Sequence, residues 1–418
     1  MKRKLLLPVP AHAVMSLFTY FGLRTATLLI LLLPLAGHSL SAQDKFRLSG
    51  YLQPQFQHGE KDATLKVGAE NTRPDRSFNR VGIRRGRIKL AYEETLASAA
   101  VQVDASEKGI ILKDAYIRLT EPWLKASALR AGVFEPPFGN EIAYSSSRRE
   151  SPESSLLYQT LFPEERDMGV MLELRAAPSS PWRLLTLDMA LLAGNGAKIE
   201  VDNRKDFIAH LHASHDIGHT FRIAGGLSYY RGGVYQGTET VYRMKGKAFE
   251  ADSDPRNEGR FARREYRGID IQLNMPGRTW SRQLRAEYIC GYQPGSATGI
   301  QSRTASTLPE YDTYVRPFRG GYAIFVQDIA RTPLAAVLKY EWLDPNIRLS
   351  NDDIGQHSSA HADIRRNTLG IGMLWQPDNR FRLQTCYEIN RNETSANLAG
   401  YDRDRKDNVF TLRLQYRF

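Results

Sequence analysis

The sequence has 418 residues, with 57 Lys and Arg against 46 Asp and Glu, a formal charge of +11 and two cysteines. Two cysteines, Cys290 and Cys386, are too few for a disulfide scaffold, and basic residues dispersed among acidic ones give no footing for nucleic acid. No HExxH motif occurs. His210 and His212 share one strand face but have no third ligand nearby, so neither a metal nor a cofactor is expected.

The chain opens with Lys2, Arg3, Lys4 and, later, Arg24, followed by the apolar run "ATLLILLLPLAG" at 26–37 and the small residues "HSLSAQ". That order is a signal peptide over residues 1–42, with the cut after Ala42. The run is shorter than the roughly 20 apolar residues a membrane helix needs, and no later segment supplies one. Removing the segment takes away four basic residues and leaves the exported chain, 43–418, at +7. That chain is either soluble or embedded as strands.

From residue 45 the apolar period is two. "KFRLSGYLQPQFQ" (45–57) comes first, then a polar loop at 58–79, then "RRGRIKLAY", which sets Ile88, Leu90 and Tyr92 opposite Arg85, Arg87 and Lys89. "AVQVDAS" sets Val101 and Val103 opposite Gln102 and Asp104, and "DAYIRLT" sets Ile117 and Leu119 opposite Asp114, Tyr116 and Arg118. After a long loop at 134–167, "VMLELR" sets Val170, Leu172 and Leu174 against Glu173 and Arg175. "IDIQLNM", "QLRAEYIC", "AVLKYEW", "LGIGMLW" and "FRLQTCYEI" repeat the pattern. The last segment, "NVFTLRLQYRF", sets Phe410, Leu412, Leu414, Tyr416 and Phe418 against Thr411, Arg413, Gln415 and Arg417.

About 16 such segments occur, and the gaps between them alternate in length. Tight turns such as "EETL", "EPW", "HDIGH" and "QPDN" alternate with long loops near 231–265, 292–318, 344–366 and 391–406. A soluble sandwich has no reason to keep this rhythm over eight hairpins. A transmembrane antiparallel β-barrel does, with short periplasmic turns and long extracellular loops. Hydrocarbon demands that every backbone polar group be paired, which a closed sheet achieves. The fold class expected is therefore all-β, a barrel of about 16 strands in the outer membrane. Its apolar face meets lipid and its Arg/Gln/Thr face a water-filled lumen. Alternation puts Cys290 on the lipid face and Cys386 on the lumen face, on non-neighbouring strands, so no disulfide is expected.

Residues 80–175 also carry a family resemblance. The strand "DAYIRL", then Gly132, Phe134, Pro137, Phe138, Gly139 and Glu141, the Pro-Glu at 152–153 and "RDMGV" at 166–170 resemble the phosphate-selective porin O and P family. The resemblance implies a 16-stranded, trimeric, anion-conducting outer-membrane channel whose loop 134–167 folds inward and narrows the passage. Guanidinium forks suit phosphate oxygens, and rings of Arg or Lys draw anions. The candidates for lining the channel or binding anions are Arg85, Arg87, Lys89, Arg118, Arg148, Arg149, Arg166, Arg222, Arg285, Lys339, Arg382 and Arg413, with Arg417 on the same face as Arg413.

The same alternation turns Asp104, Asp114, Glu173, Asp188, Asp270, Glu287, Glu341 and Glu388 inward, so a general diffusion pore is the competing expectation. A receptor or adhesin using loops 231–265 and 292–318 is a third. No GxSxG motif occurs and both histidines of the pair point inward, so no enzyme is expected. The partners expected are small anionic solutes, phosphate among them, outer-membrane lipid and two further copies of the chain. Because lumen positions are wet in this picture, neutralising Arg85, Arg87 and Lys89 is expected to cost little stability.

Overall fold

The computed structural model describes residues 45–418 apart from 178, 219, 278, 279 and 303. The expected signal peptide, 1–42, lies outside the described residues. Arg47–Phe418 form one compact unit.

Strands β1 (Phe46–Gly59), β2 (Phe78–Glu93), β3 (Ala97–Ser106), β4 (Gly109–Thr120) and β5 (Ala128–Phe134) come first. The connection 135–166 carries one short helix, α1 (Leu156–Leu161), and leads to β6 (Asp167–Arg175), β7 (Leu185–Leu192), β8 (Asp206–Ile217) and β9 (Phe221–Tyr235). A hairpin, β10 (Thr240–Lys245) and β11 (Ala248–Ser253), precedes β12 (Phe261–Met275), β13 (Arg282–Gly295) and β14 (Thr313–Asp328). The chain ends with β15 (Leu334–Asp344), β16 (Arg366–Trp375), β17 (Phe381–Asn392) and β18 (Val409–Arg417).

Sixteen of these strands form a closed antiparallel barrel. Successive strands pair from β2 to β9, β9 pairs with β12 from Phe261↔Tyr235 to Asn274↔Arg222, and pairing continues to β18. β1 closes the ring, against β18 from Tyr51↔Arg417 to Gly59↔Val409 and against β2 on its other side. The hairpin β10–β11 stands outside the ring and pairs in parallel with the start of β14, Tyr242↔Tyr314 among the partners. Closure leaves no open sheet edge around the ring, the condition hydrocarbon imposes.

The two faces have the reverse polarity of a soluble sheet. On β18, Thr411, Arg413 and Gln415 are 0%, 1% and 3% exposed, while Leu414 and Tyr416 are 43% and 39% exposed. Ile88, Leu90, Val101, Ile117, Leu119, Ile269, Leu338 and Ile371 all face outward and are exposed. Tyr288, Tyr340, Trp375 and Tyr387 lie on the same outer face. An apolar exterior over a polar interior suits a sheet whose outer solvent is lipid. Cys290, on β13, faces outward and Cys386, on β17, faces inward and is buried, with three strands between them.

The long loops differ from the sequence expectation in extent. β9 runs on to Tyr235 and β12 begins at Phe261, while β13 reaches Gly295 and β14 begins at Thr313. Both faces of these extensions carry polar residues. Outside, Glu265 pairs with Arg263 at 2.7 Å and Arg267 at 3.0 Å, and inside sits Arg264. Alternating hydrophobicity, the signal used to mark strands, is absent there. The hairpin was missed for the same reason. It belongs to a second apolar cluster among the long loops, in which Phe249 and Tyr314 join Leu349, Ile354, Ile364 and Tyr401. Tyr242 stacks on Tyr314 with ring centroids 4.2 Å apart.

The water-filled lumen is corrected more sharply. Gln53, Gln55, Gln57, Thr411 and Arg413, all on the inner face, are 0–2% exposed. They meet protein, because residues 135–166 occupy the interior of the barrel.

Candidate functional site

One side of the inserted loop is apolar. Phe138, Ile142, Leu157, Leu161 and Phe162 pack inward against Tyr230, Tyr266, Ile289, Phe318 and Ile324 of the wall. Phe162 meets Tyr230 and Tyr266 edge-on at 6.0 Å, and Phe138 meets Tyr266 at 6.3 Å. At about 1.5–3 kcal/mol per buried apolar side chain, these five contribute on the order of 10 kcal/mol to seating the loop. The turn into this segment requires Gly139, at a φ of +60°, because a β-carbon there would run into the Tyr158 hydroxyl and Glu287 Oε2, and its N–H donates to Ser228 Oγ at 2.8 Å. Helix α1 starts at Ser155, whose hydroxyl caps it by accepting from Tyr158 N.

Polar contacts fix the rest, in two directions. Wall carboxylates accept loop amides: Glu287 accepts from Glu141 N at 2.7 Å and Asn140 N at 3.2 Å, and Glu341 from Leu156 N at 3.0 Å. Loop carboxylates, in turn, face wall arginines. Glu153 pairs with Arg84 at 2.8 Å, Arg85 at 3.0 Å and Arg413; Glu150 pairs with Arg285; Glu165 lies 3.6 Å from Arg87. Arg166 of the loop reverses the polarity, meeting Asp114 at 2.6 Å and Glu135 at 2.8 Å. Burial alone would raise the Glu153 carboxyl, but Arg84, Arg85 and Arg413 together hold it well below the usual carboxylate range. The Glu165 carboxyl is likewise lowered against its burial, by Arg149, Arg87 and Lys113.

Two sizeable polar cavities flank the loop, one toward each end of the barrel. The cavity at the short-turn end is about 630 Å³ and is lined by Arg87, Lys89, Arg166, Arg380 and Arg417 against Asp114, Glu135 and Glu165. Three serines of the loop, Ser145, Ser146 and Ser147, complete its wall. The cavity at the long-loop end is about 340 Å³, with Lys66, Arg366, Arg391 and Arg405 against Asp62, Glu153, Glu341, Glu388 and Asp407. The two share no lining residue. The buried belt of Gln53, Gln55, Arg413 and Glu153 separates them.

The sequence candidates divide according to their partners. Arg85, Arg87, Arg285 and Arg413 face inward, but each is ion-paired to a carboxylate. Lys89 lies 3.8 Å from Asp114, Lys339 2.9 Å from Glu341 and Arg118 2.9 Å from Glu173. Arg149 is buried, 3.4 Å from Glu165. Arg382 donates to Gln376 and to the Arg149 carbonyl. Arg148 is exposed on the loop. Arg222 does not belong with the others. It sits at the start of β9, more than half exposed, and pairs with Asp216 across the adjoining turn at the rim.

Arg84 is one of the inner basic residues that sequence reasoning missed, as is Arg130, 2.6 Å from Glu173. Strict alternation from Arg85 sends Arg84 outward, yet both reach Glu153, because the exposure pattern of β2 changes phase between them. Arg264, paired with Asp206, and Arg316, 2.9 Å from Asp363 with both side chains fully buried, were hidden inside stretches read as loop. His210 lies 3.1 Å from Asp270 and its ring stacks 5.5 Å from that of His212. Among the described residues no group of three or more His, Cys, Asp or Glu is placed to hold a metal.

No protein-family model matches the sequence, and no curated protein does. Solved structures do match. OmpF of Salmonella typhi, in complex with daunomycin, is 11% identical with a TM-score of 0.54, over 89% of this chain and 97% of that one. An anion-selective porin from Comamonas acidovorans is 9% identical with a TM-score of 0.52, over 89% and 99%. OmpT, an outer-membrane protein of Vibrio cholerae solved in a trimer form, is 10% identical with a TM-score of 0.52, over 89% and 99%. The chain has the fold of the outer-membrane porin barrels. At 9–11% identity these matches show the barrel fold and do not confirm the phosphate-selective family expected from residues 80–175.

Proposed function

We propose that this chain is an outer-membrane channel, exported by the signal peptide at 1–42, that passes small polar solutes with a preference for anions. The observation that carries the reading is a closed barrel, apolar outside, whose interior holds an ion-paired loop between two polar cavities. Passage requires that loop to move, because the belt around Glu153 and Arg413 is shut. The anion preference rests on the short-turn cavity, where five basic side chains face three acidic ones and where neither the Arg380 nor the Arg417 guanidinium is ion-paired among the described residues. Phosphate fits the serine-and-arginine lining, and the resemblance at 80–175 points the same way. Lipid on the exterior and a homotrimer complete the proposal, the trimer form solved for the similar Vibrio cholerae protein being its support.

Planar-bilayer recording with a KCl gradient tests it. Discrete conductance steps with a reversal potential of the anion-selective sign are expected. A silent bilayer over the whole accessible voltage range would discard the channel. The receptor reading would then gain, since the long loops pack a cluster of their own around Tyr314 and Ile354.

A further inference from the structure

Arg149 is the least well partnered of the buried arginines at the loop. It is 4% exposed, and among the described residues its guanidinium is held through Nη2 alone, at long range: 3.4 Å to the Tyr144 carbonyl and 3.4 Å to Glu165. Its Nε and Nη1 have no partner among the described residues, and neither does the hydroxyl of the nearby Ser151, itself 3% exposed. A buried guanidinium left this way costs several kcal/mol, so native interiors supply it with a partner. Glu165 cannot be that partner alone, since it also serves Arg87.

These orphaned groups border one small cavity of about 10 Å³, which Arg149 and Ser151 line together with Arg285, Lys339 and Glu141. That is room for one atom of water size. Arg285 is neutralised by Glu150 and Lys339 by Glu341, which leaves Arg149 only a share of Glu165, 3.4 Å away, with Arg87 as the other claimant. Glu141 does little to answer it, because burial raises its carboxyl above the usual range despite Lys339 and Arg149 beside it.

The geometry points to a site for a single monatomic anion of the halide class, bound by Arg149 Nε and Nη1 and the Ser151 hydroxyl at the joint between loop and wall. Water would satisfy the donors but add no charge opposite a guanidinium that has only a share of Glu165; a halide does both, and a tetrahedral oxyanion exceeds the space. The bound anion ties Arg149 to Ser151 within the loop, beside Arg285 and Lys339 of the wall, and is not a transported solute, so the site stands whether or not the barrel conducts.

The test is anomalous diffraction from crystals of the exported chain, 43–418, soaked in sodium bromide, paired with thermal unfolding in bromide against gluconate at equal ionic strength. Wild type should show a bromide peak between Arg149 and Ser151 and a higher unfolding midpoint in bromide. Arg149→Gln should lose both. Ser151→Ala leaves every ion pair in place and guards against a misfolded Arg149 variant. It should bind bromide roughly tenfold more weakly, as loss of a hydrogen bond to an ion implies. A wild-type map with only water in the cavity, or a midpoint indifferent to bromide, would overturn the proposal. So would a bromide peak that persists in Arg149→Gln.

Discussion

Glu153 is shared by Arg84, Arg85 and Arg413, so removing its charge strands three cations in the interior. Breaking a buried pair from one side typically costs about 3–5 kcal/mol. Glu153→Gln should therefore lower the urea midpoint of the refolded barrel and, by loosening the belt, raise its open time in bilayers; an unchanged open time would mean that passage avoids this belt. Acid should not mimic the mutation at moderate pH. The folded-state pKa values of Glu153 and Glu165 are depressed, so their stabilisation is complete above the unfolded value of about 4.3 and lost only as pH falls through the lower folded values. Between pH 8 and pH 5 the latch should hold. Asp407 behaves differently. It is half-buried in the long-loop cavity, and burial raises its carboxyl to about 6 despite Arg405 and Arg366. Acidification over that range should neutralise it and shift the reversal potential toward anions, and Asp407→Asn should abolish the shift.

At the scale of elements, alternation located every barrel strand, because each crosses one apolar and one polar medium. It failed where that contrast ends. The upper parts of β9, β12, β13 and β14 mix polar and apolar residues on each face, Tyr266 and Phe318 lying inward beside Arg264 and Arg316, and β10–β11 packs outside the ring against the start of β14 and other loops. The loop 135–166 was legible as a long connection, but not its ion pairs. Glu153 and Arg413 are 260 residues apart, and nothing local to either one names the other. Arg84 shows the limit within a strand: one change of phase turns it from the lipid side to the lumen. The independence of the outer hairpin can be checked. β9 pairs with β12 without interruption from Tyr235 to Arg222, so deleting Thr240–Ser253 with a short linker should leave a barrel that still shows heat-modifiable gel mobility. Loss of that mobility shift would mean that the hairpin is needed for closure.

For the whole molecule the question is which charges set its field. Inside the belt, Arg85 and Arg87 are 4% and 5% exposed and spend their charge on Glu153, Asp104 and Glu165. The sequence expectation that neutralising this stripe is cheap assumed a wet lumen, and the buried pairs reverse it. Arg85→Gln with Arg87→Gln should cost several kcal/mol, because it strips buried Asp104 of its ion-pair partner and leaves Glu153 and Glu165 each one arginine short. Arg380 and Arg417 contrast with this pair. They line the short-turn cavity, Arg380 is exposed, and neither guanidinium is ion-paired among the described residues, although Asp378 accepts from Arg380 N at 2.6 Å. Unpaired charges at a mouth act on passing ions through solvent, so their effect is screened by salt. The Debye length is about 30 Å at 0.01 M and about 10 Å at 0.1 M. Arg380→Gln with Arg417→Gln should thus keep the wild-type unfolding midpoint while moving the reversal potential toward zero. The shift should be largest in the most dilute salt. If this double variant keeps full anion selectivity at 0.01 M, the selecting charges lie deeper, at the arginines freed when the loop moves, and the mouth only collects ions.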